Sequence, residues 1–221
     1  MDFIEAKVIG VTKPVVDFIP DSEGIISYAA RVSAPKNQTN FDTAERLLNY
    51  CIKHSHWSVF ETVSLTMEIK CPRDIARQIL RHRSFSFQEF SQRYAESTEF
   101  IKRECRLQDV KNRQNSIQTE DGELESWWED TQVNLLEDIR TAYTEALEKG
   151  IAKEVARVIL PEGLTMSSMY MNGTLRSWLH YIDLRSKNGT QLEHVVVAEK
   201  CRKVIKEYFP TLINTLEENN V

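Results

Sequence analysis

Glycine is scarce in this chain. There are seven in 221 residues, none arranged as Gly-x-Gly-x-x-Gly and none followed by Lys-Ser or Lys-Thr. Both phosphate cradles need glycine because the backbone itself must approach the phosphates, so a nucleotide held in either way is excluded. The four cysteines, Cys51, Cys71, Cys105 and Cys201, are widely spaced and form no Cys-x-x-Cys pair. That argues against a zinc site or a disulfide framework and for reduced thiols. No apolar run reaches membrane-spanning length, and Asp2, Glu5 and Lys7 interrupt any amino-terminal signal pattern. The expected location is cytoplasmic. Positive charge is also in deficit, 28 basic against 33 acidic residues for a net charge of -5. A general positive field for gripping long nucleic acid is therefore absent, and a compact anionic ligand fits better. With 41% hydrophobic residues the chain can bury a real core, and one domain spanning 1–221 is expected.

Periodicity supplies the elements. The amino-terminal stretch to Ile19 reads as a strand with a turn, and Ile25 to Val32 as a short helix ending near Pro35. Ala44, Leu47, Leu48, Cys51 and Ile52 follow three-four spacing, with Asn40 or Asp42 available as cap. Val63, Leu65, Met67 and Ile69 alternate with polar residues over 62–70, the period of a strand. Pro72 suits a helix start, with Ile75, Ala76, Ile79 and Leu80 as its buried stripe. Residues 102–121 lack periodicity and read as a surface excursion. Trp128, Leu135, Ile139, Ala142 and Ala146 mark a long helix stopped by Gly150. A short helix over 151–160, a strand over 165–171, a helix over 174–185 and a closing helix over 191–209 before Pro210 complete the reading. Helices dominate, without strict strand-helix alternation or an internal repeat.

Against the acidic background, Arg81-His82-Arg83-Ser84-Phe85-Ser86-Phe87-Gln88-Glu89-Phe90-Ser91-Gln92-Arg93-Tyr94 concentrates cations, hydroxyls and rings. Guanidinium forks match phosphate oxygens, and interleaved rings cover a flat heterocycle. Glu89 is a partner for a base or an arginine. Arg73, Arg77 and Arg81, four apart, form a like-charged ridge that destabilises an isolated helix by a few tenths of a kcal/mol per pair, so something anionic should compensate. Arg157, Arg176 and Arg185 sit among apolar neighbours. They either pair internally with Glu154 or Asp183 or form a second wall of the same pocket. His54 and His56, two apart with no third ligand, are weak evidence for a metal, and none is expected. Cys51 and Cys201 fall on apolar helix faces.

Arg-His-Arg, seven residues, then Ser, here Arg81-His82-Arg83 through Ser91, resembles the signature of flavin-dependent thymidylate synthases of the ThyX type. The resemblance extends to Ala30-Arg31-Val32-Ser33, His54-Ser55-His56 with Phe60-Glu61, Ala76-Arg77-Gln78, Glu154 through Pro161, and Asp183-Leu184-Arg185. Two departures are Gln88, where relatives often carry Asn, and Asn172-Gly173-Thr174, one residue longer than in some relatives. The resemblance implies a homotetramer with active sites at subunit interfaces. Its reaction would convert dUMP to dTMP with 5,10-methylenetetrahydrofolate as carbon donor and NADPH, through FAD, as reductant. It places flavin contacts at Ser58, Arg81, His82, Arg83, Glu89, Asn172, Thr174, Arg176 and His180. Contacts to dUMP fall at Arg77, Gln78, Ile79, Leu80, Arg81, Glu89, Phe90, Ser91, Gln92, Arg93, Arg157 and Arg185, with Arg185 as the catalytic residue that activates the uracil without a cysteine nucleophile. The expected fold is α+β, a helix-rich mixed domain with a central, mostly antiparallel sheet flanked by helices. The competing reading from the residues is a non-catalytic RNA- or nucleotide-binding module, in which 73–93 grips phosphates and phenylalanines stack on bases.

Overall fold

A computed structural model describes residues 1–97 and 99–218, with side chains to residue 214. In chain order the elements are β1 (Glu5–Val11), α1 (Ser22–Ala30), α2 (Ala44–Lys53), β2 (Ser64–Pro72), α3 (Arg73–Ile79), β3 (Ser86–Glu89), β4 (Arg106–Gln108), β5 (Ser116–Gln118), α4 (Gly122–Glu148), α5 (Lys153–Ala156), β6 (Met166–Thr174), α6 (Leu175–Arg185), α7 (Leu192–Lys206) and α8 (Pro210–Glu218). Short 3-10 turns occupy Trp57–Thr62 and Arg157–Ile159, among others.

Four strands form one sheet in the order β1-β2-β6-β3, every neighbouring pair antiparallel. Alternation fixes its two faces. Leu65, Met67, Ile69 and Cys71 on β2 and Met169 and Met171 on β6 point inward and are buried. Thr66, Glu68, Tyr170, Asn172, Ser86 and Gln88 occupy the opposite face and are partly or fully exposed. Helices α3, α6 and α7 pack on the inward face, and α8 joins α7 to α2. Trp178, Tyr181, Phe60 and Phe209 are the largest side chains sealed in this layer. The two-layer arrangement of helices on an antiparallel sheet is the expected α+β fold.

Local chemistry explains the boundaries. Asp21 caps α1 by accepting from Gly24 N at 2.7 Å. Ser55, at φ 57°, turns the chain out of α2, and Gly150, at φ 82°, does so after α4, as the sequence anticipates. Thr174 caps α6 by accepting from Ser177 N.

Several expectations are corrected. Neither Asn40 nor Asp42 caps α2. Its N-cap is Thr43, whose hydroxyl makes no cap bond and instead accepts from Arg31 Nη2 at 2.8 Å. The excursion over 102–121 contains the hairpin β4–β5. The helix over 151–160 shrinks to α5 and one 3-10 turn. Proline stops no helix at 210; it opens α8, where its missing N–H costs nothing. In α4 the buried residues are Gln132, Leu136 and Tyr143, whereas Leu135, expected inside, is half-exposed.

Candidate active site

The site is built around α3, a seven-residue helix that leaves β2 at Pro72. Pro72 is its N-cap residue in extended conformation, and Ile75, Ala76 and Ile79 fasten its inner stripe to the core. Two different polar environments flank it. On one side Arg73 and Arg77 share Glu89 of β3, with Arg77 Nη1 at 3.1 Å and Arg73 Nη1 at 3.6 Å from its carboxylate, and both reach Glu162 at 3.6–3.8 Å. Ser167 of β6 donates to Glu89 at 3.0 Å. The ridge of like charges therefore receives its anions in part from the chain itself. Arg73 is buried, and burial, with Arg77 and Arg157 nearby, lowers its pKa. Its Nη1 finds no hydrogen-bond acceptor.

On the other side Arg185, the last residue of α6, donates through Nε to His82 Nε2 at 2.9 Å. A guanidinium can only donate, so His82 Nε2 must be an unprotonated acceptor and the ring proton must sit on Nδ1. Burial, and then the Arg185 charge, hold the His82 pKa down to about 4, so the ring is neutral near pH 7. Tyr181 packs edge-on against that ring, centroids 4.9 Å apart. With Nε committed, both Nη groups of Arg185 are left without a protein partner among the described residues. Gln78, also on this side, donates to Gln191 at 2.7 Å and meets His194 at 3.2 Å.

Of the residues with expected flavin roles, Glu89 stands on the arginine flank and His82 beside Arg185, whereas Arg176 and His180 lie on α6, Asn172 and Thr174 at the end of β6, and Ser58 in the turn before β2. Arg176 pairs with Glu61 at 2.8 Å, and this bond is the chief cause of the lowered Glu61 pKa. His180 packs edge-on against Trp57, next to Ser58. Burial and the nearby Arg176 charge lower the His180 pKa. Asn172, on the open sheet face, donates to Thr66 Oγ1 at 2.7 Å. Arg81 and Arg83 are exposed and make no ion pair among the described residues. The turn that carries them is held to α6 by Ser177, which donates to Ser84 O at 3.3 Å.

The structure thus brings Arg77, Glu89, Arg157 and Arg93 to one flank of α3 and Gln78, His82 and Arg185 to the other. Arg93 pairs with Glu154 at 3.3 Å, and Asp183 pairs with Lys187 at 2.7 Å. The internal pairs considered for Arg157, Arg176 and Arg185 with Glu154 or Asp183 are not the ones formed. Ile79 is core and Gln92 is buried, donating to Ser97 at 3.2 Å, so these two offer a ligand backbone groups only. Phe90 and Ser91 are partly exposed, and Leu80 is half-buried at the end of α3. His54 is occupied by Tyr50, with its Nδ1 2.9 Å from Tyr50 O and the rings stacked at 4.0 Å. Sequence reasoning missed Glu162, Gln191, Glu193, His194 and Tyr181, which surround the site residues. Glu162 adjoins the arginine-bearing segment 154–161, while the other four carry no local signal because their partners are distant in sequence.

The antiparallel sheet backed by helices is of the α+β class, and the clustered arginines on one flank of α3 and the guanidinium held by a neutral histidine on the other are groups that can bind an anion. Comparison with known proteins narrows it. A family profile described as "Thymidylate synthase complementing protein" matches residues 14–211. The chain is 51% identical over 215 residues to a probable flavin-dependent thymidylate synthase of Paramecium bursaria Chlorella virus 1, covering 97% of this chain and 99% of that protein. It is 49% identical over 217 residues to the flavin-dependent thymidylate synthase of Synechocystis sp., covering 97% of this chain and 100% of that protein. Its fold is similar to that of the UMP/dUMP methylase PolB from Streptomyces cacaoi bound with 5-Br dUMP, with a TM-score of 0.81 at 24% identity over 97% of this chain and 95% of that one. The chain belongs to the flavin-dependent thymidylate synthase (ThyX) family, enzymes of the methyltransferase class.

Proposed function

We propose that this protein methylates dUMP reductively to dTMP, with FAD as cofactor, 5,10-methylenetetrahydrofolate as carbon donor and NADPH as reductant. The observation that carries the reading is Arg185 anchored through Nε on neutral His82, with its Nη groups left without a protein partner among the described residues. Deoxyuridylate is a dianion with a weakly electrophilic ring. A guanidinium fixed at one end stabilises negative charge developing on the pyrimidine without having to reorganise. Arg77, Arg93 and Arg157 would take the phosphate, with Arg77 exchanging part of its contact with Glu89 and Glu162, and Arg93 part of its contact with Glu154, for a more highly charged partner.

The donor set suits a flavin nucleotide. Arg81 and Arg83 are exposed guanidiniums with no carboxylate partner among the described residues, and Ser58, Asn172, Thr174, Arg176 and His180 add hydroxyl, amide, guanidinium and ring groups. These residues, with His82 and Glu89, would hold FAD. When bound, the flavin supplies the hydride chemistry, and the protein supplies orientation and charge. None of the three core thiols is suited to attack the ring. Cys51, Cys71 and Cys201 are buried, and burial raises each thiol, Cys71 to about 12.

The active chain is one domain over 1–221, assembled as a cytoplasmic homotetramer with sites at subunit interfaces. Support for assembly comes from the apolar residues left outward beside Arg157, namely Val155, Val158 and Ile159, and from Trp127 and Leu135 on α4. The test is spectroscopic and kinetic. Purified protein should be yellow and release FAD on denaturation, and Arg185→Ala should keep flavin and fold while losing most dTMP formation, on the order of a hundredfold or more. A colourless protein that takes up no FAD, or undiminished turnover by the variant, removes the reading.

A further inference from the structure

Behind Gln78 a row of polar side chains runs into the protein interior. It starts at Glu193, 1% exposed and ion-paired with Arg103 at 3.4 Å and with Arg106. Burial alone would raise the Glu193 carboxyl, but Arg106 and Arg103 hold it below its usual value, so it is ionised and can only accept. Gln191 Nε2 therefore donates, to Glu193 Oε2 at 3.0 Å and toward Asp74 Oδ2 at 3.5 Å. Gln191 Oε1 is then left facing Gln78 and must accept from Gln78 Nε2 at 2.7 Å. This turns Gln78 Oε1 toward His194 Nδ1 at 3.2 Å, so the His194 proton is on Nδ1. His194 Nε2 is consequently a lone pair and accepts from the Tyr181 hydroxyl at 3.1 Å.

Every direction in this chain follows from the one before it, and the ionised carboxylate sets the first. Reversing a link would press two donors or two acceptors together. His194 has no solvent exposure and Tyr181 has 1%, so no water can absorb the mismatch. Gln78, by contrast, is only half-buried and stands in the middle of the row, bonded to Gln191 on one side and His194 on the other. An amide whose two ends are spoken for in this way retains one N–H and one lone pair for a ligand.

We propose that His194 and Tyr181 are positioning residues that hold the Gln78 amide in a single orientation, so that its remaining N–H and lone pair meet the pyrimidine nucleotide as a fixed donor and a fixed acceptor. The inference rests on the reading that Gln78 lies in the dUMP site.

The test uses the full-length flavin-loaded protein and measures dUMP Kd by calorimetry, KM and kcat, bound flavin, and melting temperature. His194→Leu is expected to raise Kd and KM for dUMP about tenfold, the worth of one hydrogen bond to a ligand, with kcat within about twofold and flavin content unchanged. His194→Asn, whose amide N–H stands near the position of Nδ1, should restore most of the affinity. Tyr181→Phe keeps the packing, removes the terminal donor, and should show an intermediate loss even if His194→Leu fails to fold. In a Gln78→Ala background the His194 and Tyr181 changes should add nothing further to Kd. Additive losses there, or no rescue by His194→Asn, overturn the positioning role. If Gln78→Ala itself leaves dUMP binding intact, the placement of Gln78 in the nucleotide site is what fails, and the Arg185 result judges the reaction separately.

Discussion

Close contact makes some single atoms decisive. Gly173 lies in β6 with Phe85 directly over it, and a Cβ there would stand 2.4 Å from Phe85 Cδ1. Phe85 is itself boxed in by Trp178, 4.9 Å away centroid to centroid, so its ring has little room to retreat. Gly173→Ala is expected to cost about 1–3 kcal/mol through overpacking, read as a lower urea midpoint, and to loosen the turn that carries Arg81 to Arg83. An unchanged midpoint would show that the ring moves freely. Residue identity was legible at this scale where side-chain chemistry is distinctive: Arg77, Glu89 and Arg185 do sit among charged or polar partners. His194 and Tyr181 were not legible, because nothing in Glu-His-Val-Val or His-Tyr-Ile reveals that residues 78 and 191 will arrive beside them.

Elements differ in how much of their stability is internal. Helix α4, 27 residues long, buries only Gln132, Leu136 and Tyr143 among its described side chains, so local terms weigh heavily at its start. Asp121 accepts from both Glu123 N and Leu124 N at 3.1 Å and adds negative charge at the positive end of the helix. Asp121→Ala should cost about 1 kcal/mol and speed amide exchange in the first turn of α4 while leaving exchange in β2 and β6 unchanged. Equal protection in the two proteins would assign the helix start to other contacts. Strand β2 was readable because strict alternation leaves one register that buries Val63, Leu65, Met67 and Ile69 together. The stripe of α4 was misplaced because Gln132 is buried for its hydrogen bonds to Arg103, which apolar spacing does not register. Strand β3 stayed hidden inside the arginine-serine-phenylalanine segment, whose composition announces a ligand before it announces a strand.

For the whole molecule, two neutral histidines in contact with the same tyrosine set a pH response. Burial first, and the Arg185 charge second, hold His82 at about 4 and His194 at about 3, both below the ordinary 6.5. The unfolded chain takes up protons on these rings as pH falls below 6.5, and the folded chain does not. Their contribution is therefore complete above about 6.5 and is lost progressively as pH drops toward 4. Asp74 and Glu23, whose carboxyls burial raises, act in the opposite sense. The urea midpoint should fall across this window, and the fall should be smaller in His194→Asn, which has no ring to protonate. A slope identical in the two proteins would exclude His194 as a source. Helix α3 carries a further consequence. It is seven residues long and serves an ion-paired lattice on one flank and a directed row of donors on the other. Deleting one residue from its middle would swing every later side chain by about 100°, bringing Gln78 to the place of Arg77 and core Ile79 to the place of Gln78. The hairpin beyond Arg106, which pairs with Glu193, has no such double duty. Length variation among natural variants of this chain should therefore accumulate in the hairpin and be barred between Pro72 and Tyr94.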